Sequence, residues 1–190
     1  MTNPLLDFAG LPHYDQIKPE HVAPAIDYLI SQAEAAVRTA EIVAPVTWNA
    51  FVAPLDDATE RLNRAWAQVS HLQAVANTPE LRRAFNENLP KIIRFGSAMG
   101  QNLALFAQYR KLAEAPEYAD YDDARRKTLE NALRDFRLSG ADLQEEGRAR
   151  FAAIQMELSA LSAKFSENVL DATEAFALYV EDAGELSGIP

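Results

Sequence analysis

Apolar side chains recur three and four residues apart along almost the whole chain, the period of an amphipathic helix and not of a strand. After an extended, proline-punctuated segment at 1–18, Val22, Ile26, Leu29, Ala33, Ala36, Val37 and Ala40 fall on one stripe. Pro19 suits the first turn of that helix, where a missing N–H costs nothing. Pro24 is tolerated only if regular helix begins near it. PVTWNAF opens a second unit with Thr47 as N-cap. Leu55, Ala58, Leu62, Ala65, Val69, Leu72 and Ala76 then form a narrow seam suited to near-antiparallel packing.

NTPELRRAF marks a restart, with Thr78 at N-cap, Pro79 at N1 and Glu80 where the helix dipole favours an acid. Leu81, Phe85, Leu89, Ile92, Phe95 and Met99 carry the next stripe, with a bend or break expected at Pro90. Gly96 and Gly100 weaken its end, and Leu103, Phe106 and Tyr109 follow on a shorter helix. EAPEYADYDD reads as a connector. Helix formers resume from Asp122, with Leu129, Leu133 and Phe136 inward, Glu130 and Arg134 paired four apart, and Gly140 as a C′ stop.

The last helix, expected from about Asp142 to Ala175 and about 50 Å long, has the most regular pattern. Phe151, Ile154, Leu158, Leu161, Phe165, Asn168 and Ala172 alternate three and four apart without a slip, with one polar residue, Asn168, in the seam, where a hydrogen bond to a neighbouring helix is expected. Alternation at Phe176, Leu178 and Val180 then predicts a short terminal strand near 176–181. The expected fold is all-α, an antiparallel multi-helix array with long helices.

Composition narrows the chemistry. With 190 residues the chain can bury a sizeable core, and it has no cysteine, which removes disulfides, thiolate metal sites and cysteine nucleophiles. Its 28 acids against 18 bases give a net charge of −10, the opposite of a nucleic-acid footprint. The basic run Arg125–Lys127 follows three aspartates and reads as a solvated helix face. No apolar run is long enough to span a membrane, and the N-terminus lacks the basic start of a secretory signal.

Candidate chemistry is sparse. LPHYDQIKPEH carries His13, Asp15, Glu20 and His21, but the histidines are eight apart and separated by Pro19. HExxH, which would set two rings on one helix face around one ion, is absent. His21 is expected to cap or pack. His71, beside the second seam, is expected to be a satisfied, partly buried histidine. The adjacent acid pairs Asp56–Asp57, Asp122–Asp123 and Glu145–Glu146 diverge and suit helix starts or solvent faces, and Trp48, Trp66 and the phenylalanines suit the core. No catalytic, cofactor-binding or metal-ligating residue is assigned.

The opening stretch NPLLDFAGLPHYDQIKPEHVAPAI, with its I-x-P-E-H-V-x-P-A segment at Ile17–Ala25, resembles the start of the thimet-oligopeptidase family of zinc metallopeptidases. The likeness continues through TWNAFVAPLDDATERLNRAW, VSHLQAVANTPELRRAF, NALRDFRLSGADL, FSENVLDAT and ELSGIP, in order and over essentially the whole chain. Members of that family carry HExxH in a C-terminal catalytic lobe, and this chain ends before that motif would arrive. The resemblance therefore implies an extended lead-in at 1–18, a helical N-terminal lobe at 19–175, and at 176–190 the start of a connection to a missing catalytic lobe. It further implies a cytoplasmic parent that uses zinc to hydrolyse short peptides. This lobe would wall the substrate channel, be inactive alone, and pair with the catalytic lobe of the same chain. Its uncovered apolar surface would favour self-association. The alternative is a free-standing helical module that binds peptides or proteins without enzymatic activity; a third reading is a purely structural helical protein.

Overall fold

Two hydrophobic cores meet along one helix. In the computed structural model, which describes residues 3–188 (the side chain of Ala183 excepted), that helix is α1, Pro19–Ile42. It is followed by α2 (Ala53–Val75), α3 (Pro79–Gly100), α4 (Leu103–Glu114), α5 (Asp123–Leu138) and α6 (Glu145–Ala175). The fold is all-α, and among the described residues there is no strand. The chain divides into two compact units, 1–156 and 157–190, and α6 crosses the division.

In the first unit, Val22, Ala25, Ile26, Leu29 and Ala33 of α1 share a core with Leu5, with Leu62, Ala65 and Val69 of α2, and with Leu81 of α3. The far end of α1 shares a second core, in which Ala40 meets Phe51, Val52, Leu55, Leu105, Tyr109, Leu112, Leu129 and Phe136. The end of α1 lies with the start of α2 and its beginning with the end of α2, so the two run antiparallel, as the seam predicts.

Local chemistry sets the boundaries. Thr47 Oγ1 accepts from Ala50 N at 3.2 Å, Thr78 Oγ1 from Leu81 N at 3.2 Å and Asp122 Oδ1 from Arg125 N at 2.8 Å, each satisfying an N–H with no partner inside its helix. Between Thr47 and α2 the chain first makes one wider π turn, Trp48–Val52, which buries Phe51 and Val52. α5 ends in a Schellman arrangement: Gly140 takes φ +88°, its N–H bonds Arg137 O, and Ala141 N–H reaches back to Phe136 O at 3.0 Å.

Several expectations change. α3 runs unbroken through Pro90, and α1 contains Pro24. A proline inside a helix costs about 3 kcal/mol, whereas each large apolar side chain buried is worth about 1.5–3 kcal/mol. Val22, Ile26 and Leu29 around Pro24 are wholly or almost wholly buried, so packing outweighs the defect. The inward face of α4 is Leu105, Gln108, Tyr109 and Leu112, while Leu103 is exposed. Glu130 pairs with Lys127 and Arg134 with Asp135, not with each other. Arg125 lies over the rings of Trp48 and Tyr121 at 5.2 and 5.7 Å, and Arg126 donates to Ala119 O at 2.7 Å, so the basic run is partly a structural clamp.

The buried polar residue Gln108 has no counterpart in the sequence pattern. Its amide nitrogen lies 3.1–3.3 Å from the carbonyls of Ala40, Glu41 and Val43, where α1 runs out of intrahelical donors. Its oxygen accepts from Lys111 Nζ at 3.1 Å.

The second unit begins within α6, which starts at Glu145 and not Asp142 and is about 46 Å long. Its apolar seam is open: Leu158, Leu161, Phe165 and Val169 are 50–70 % exposed. Exposure falls instead at Ser159, Ala163 and Glu167, on the opposite face. The strand expected at 176–181 does not form. These residues have no regular structure, because a strand exists only through ladder bonds to a neighbour. An Asp182-capped 3-10 turn, Ala183–Leu186, follows; Ile189 and Pro190, the end of the expected connection, and Met1 and Thr2, the start of the lead-in, lie outside the described residues.

Two helix glycines should respond oppositely to alanine. A Cβ on Gly96 meets open space, so Gly96→Ala should raise stability in urea by about 0.5–1 kcal/mol. A Cβ on Gly100 would sit 2.8 Å from Ser139 Cβ, so Gly100→Ala should lower it by about 1–3 kcal/mol. High pH should also loosen the second core. Burial first, and the charge of Asp56 second, raise the pKa of Tyr109; burial, and then the 2.6 Å hydrogen bond to Glu117, push Tyr121 up to about 12. The neutral phenols are favoured by folding, so this stabilisation is complete below the ordinary value of 10.0 and is lost as pH climbs through about 12. Ultraviolet titration should show two of the six tyrosines ionising late, and Tyr121→Phe should flatten the alkaline loss of stability.

Candidate functional site

The three histidines have three separate employments. His21 is the third residue of α1, and its Nδ1 accepts from Lys18 N–H at 3.1 Å, capping the helix start with a side chain from inside it. Its carbonyl accepts from Asn3 Nδ2 at 2.8 Å, which pins the lead-in to α1. His13 Nε2 stands 3.5 Å from Asp7 Oδ2 in that lead-in. His71 is exposed on α2, not partly buried, and its ring lies against Tyr14 with centroids 5.2 Å apart. Metal-binding histidines converge on one point. These do not, and no group of three or more His, Asp or Glu able to hold an ion stands together among the described residues. The His, Asp and Glu side chains among the described residues are not gathered as a zinc ion requires.

What the first unit does offer is a groove of about 500 Å³ between α1 and α3. Ile30, Val37, Phe95, Ala98 and Met99 make it apolar, and Asp27, Glu34, Arg38, Lys91 and Arg94 bring charges of both signs. Lys91 closes onto Asp27 across the helices, and Arg38 sits 3.9 Å from Glu34 on its own helix. Asn102 Nδ2, beside the groove, donates to Glu41 Oε1 at 2.6 Å and also caps α4 through its oxygen. Apolar contact with charged neighbours can hold an extended chain without reacting with it. The groove follows from the pattern only in part: the α1 and α3 stripes are legible, but the open angle between them is a packing result.

In the second unit, the uncovered feature is the apolar face of α6 with Phe176, Leu178 and Tyr179 beyond it, the last three 74–88 % exposed. Single exposed apolar residues are ordinary, whereas a continuous run of them marks a surface meant to be covered. No helix among the described residues is long and apolar enough to cross a membrane.

Replacing the capping ring tests the assignment of His21. His21→Ala should cost about 1 kcal/mol in thermal or urea unfolding, and calorimetric zinc titrations of the two chains should coincide.

Comparison with known proteins adds what the geometry leaves open. Residues 26–148 match the family model described as the neurolysin/thimet oligopeptidase N-terminal domain. Oligopeptidase A of Haemophilus influenzae is 43% identical over 190 residues, covering 100% of this chain and 28% of that protein. The Escherichia coli oligopeptidase A is 40% identical over 191 residues, again 100% of this chain and 28% of its relative. An organellar oligopeptidase A of Arabidopsis thaliana, chloroplastic/mitochondrial by name, is 35% identical over 189 residues and is covered to 24%. The chain thus spans 24–28% of the length of these relatives.

Proposed function

The chain belongs to the neurolysin/thimet oligopeptidase N-terminal domain family, and from that premise we propose that it is the helical N-terminal lobe of a cytoplasmic zinc oligopeptidase of the oligopeptidase A kind. The observation that carries this reading is the open apolar face of α6, Leu158, Leu161, Phe165 and Val169, in a chain that spans 28% of its bacterial relatives. Such a face is costly to leave in water. It is economical if the remainder of a longer chain covers it.

In this reading the zinc and the glutamate base that activates water lie in the remainder, the C-terminal catalytic lobe. The lobe described here supplies a wall: rigid helices that limit a channel to short, unfolded peptides and help to orient them. The domain assignment follows, with 1–18 as lead-in, 19–175 as the helical lobe and 176–190 as the start of the connection to the catalytic lobe.

A second reading, a free-standing peptide-binding module, draws support from the groove between α1 and α3. One set of assays separates the two. Given zinc and a short quenched peptide, this chain should show no turnover above buffer, whereas a longer protein carrying it should hydrolyse the peptide and stop when chelated. In that longer protein Leu161→Glu should lower kcat/KM. Turnover by the 190-residue chain that disappears on replacing His13, His21 or His71 overturns the proposal. Peptide binding that Phe95→Ala weakens, in a protein whose longer form lacks chelatable activity, establishes the module instead.

A further inference from the structure

The floor of the groove between α1 and α3 lies where the two cores of the first unit meet. Ile30 and Phe95 pack against the core of Val22 and Leu62, and Val37 and Met99 against that of Phe51 and Leu105. All four line the groove and stay half-buried. The cores fix them from behind, so the apolar floor is in place before any ligand arrives. Its volume of about 500 Å³ is within the roughly 300–1,000 Å³ of ordinary ligand pockets.

The charges around that floor do not cancel. Lys91 of α3 closes onto Asp27 of α1, and Arg38 pairs with Glu34 on its own helix. Arg94, exposed one turn beyond Lys91, makes no ion pair among the described residues. A guanidinium presents a planar fork of donors that fits a carboxylate with two parallel bonds. One cation beside an apolar strip is therefore left without its anion. We propose that the groove holds the C-terminal end of a peptide, with the terminal carboxylate on Arg94 and an apolar last side chain on Phe95 and Met99.

The amino end of a peptide would find no free acid here, because Lys91, Arg38 and Asn102 engage Asp27, Glu34 and Glu41. A fatty acid carries the same carboxylate, but its tail has nothing to offer the charged rims and would strip water from them without return. A peptide backbone brings a donor and an acceptor at almost every residue, which suits charged edges over an apolar floor. The inference rests on the peptide-handling role proposed above and names the end of the peptide that the lobe recognises.

Fluorescence anisotropy on the 190-residue chain tests it, with a dye-labelled pentapeptide of four alanines and a last phenylalanine, as the free acid and as the C-terminal amide. The acid should bind, and the amide about tenfold more weakly. Arg94→Gln should bring the acid down to the affinity of the amide and leave the amide unchanged, the signature of one pairwise contact. Ala98 lines the groove and is exposed, so Ala98→Trp should fill it and weaken both forms, with circular dichroism confirming that each variant keeps its helix content. Arg110→Gln, at an exposed arginine of α4 paired with Glu114, should change neither. Absence of binding overturns the proposal, as does equal binding of acid and amide, an Arg94→Gln chain that still prefers the acid, an Ala98→Trp chain that binds normally, or octanoate displacing the peptide at equal concentration. The peptidase reading is tested apart from this, by chelatable turnover in the longer protein, so either can fail alone.

Discussion

Helix α1 is the element on which the first unit depends, because both cores need it and both of its ends must be satisfied by groups from outside its hydrogen-bond ladder. Its beginning shares a core with α2 and α3 and its end shares one with α2, α4 and α5, so losing its alignment would open both cores together. The carbonyls at its C-terminal end run out of intrahelical donors, and a buried carbonyl without a partner costs about 1–3 kcal/mol. Gln108, sixty-five or more residues away in sequence, brings its amide to three of them. At the other end His21 and Asn3 do the corresponding work. α1 is thus a strut tied at both ends, and the groove that it forms with α3 inherits that rigidity.

A lobe built this way has little reactive chemistry and much surface. Its histidines serve as a cap, a ring beside Asp7 and a ring against tyrosine, and the three do not point at a common centre. Under the proposed function, what the lobe contributes is shape and uncovered surface: a charged, apolar groove on the first unit and an apolar helix face on the second. The channel wall proposed above would need those properties. They must resist deformation, exclude folded chains and present mixed contacts that suit many sequences, tasks for packed helices and not for nucleophiles.

The α6 face has an apolar seam without a covering element among the described residues. An apolar seam is indifferent to what covers it, because dispersion and desolvation are not directional.

Much of the fold is legible in the amino-acid order. The stripes of α1 and α2, the caps at Thr47 and Thr78 and the stop at Gly140 are decided within about a turn of chain, by side chains that satisfy nearby N–H groups or by a backbone angle that only glycine takes readily. The resemblance to the oligopeptidase family is legible for the same reason, since it lies in runs of neighbouring residues. Four features were settled elsewhere: Gln108 reaching the end of α1, Arg125 covering Trp48, Pro24 and Pro90 surviving inside helices, and the seam of α6 facing water. Each depends on which distant element arrives alongside. The sequence by itself determined that α6 has an apolar face. Only the tertiary structure decided that this face stays open, because burial is a relation between two surfaces and periodicity describes just one of them.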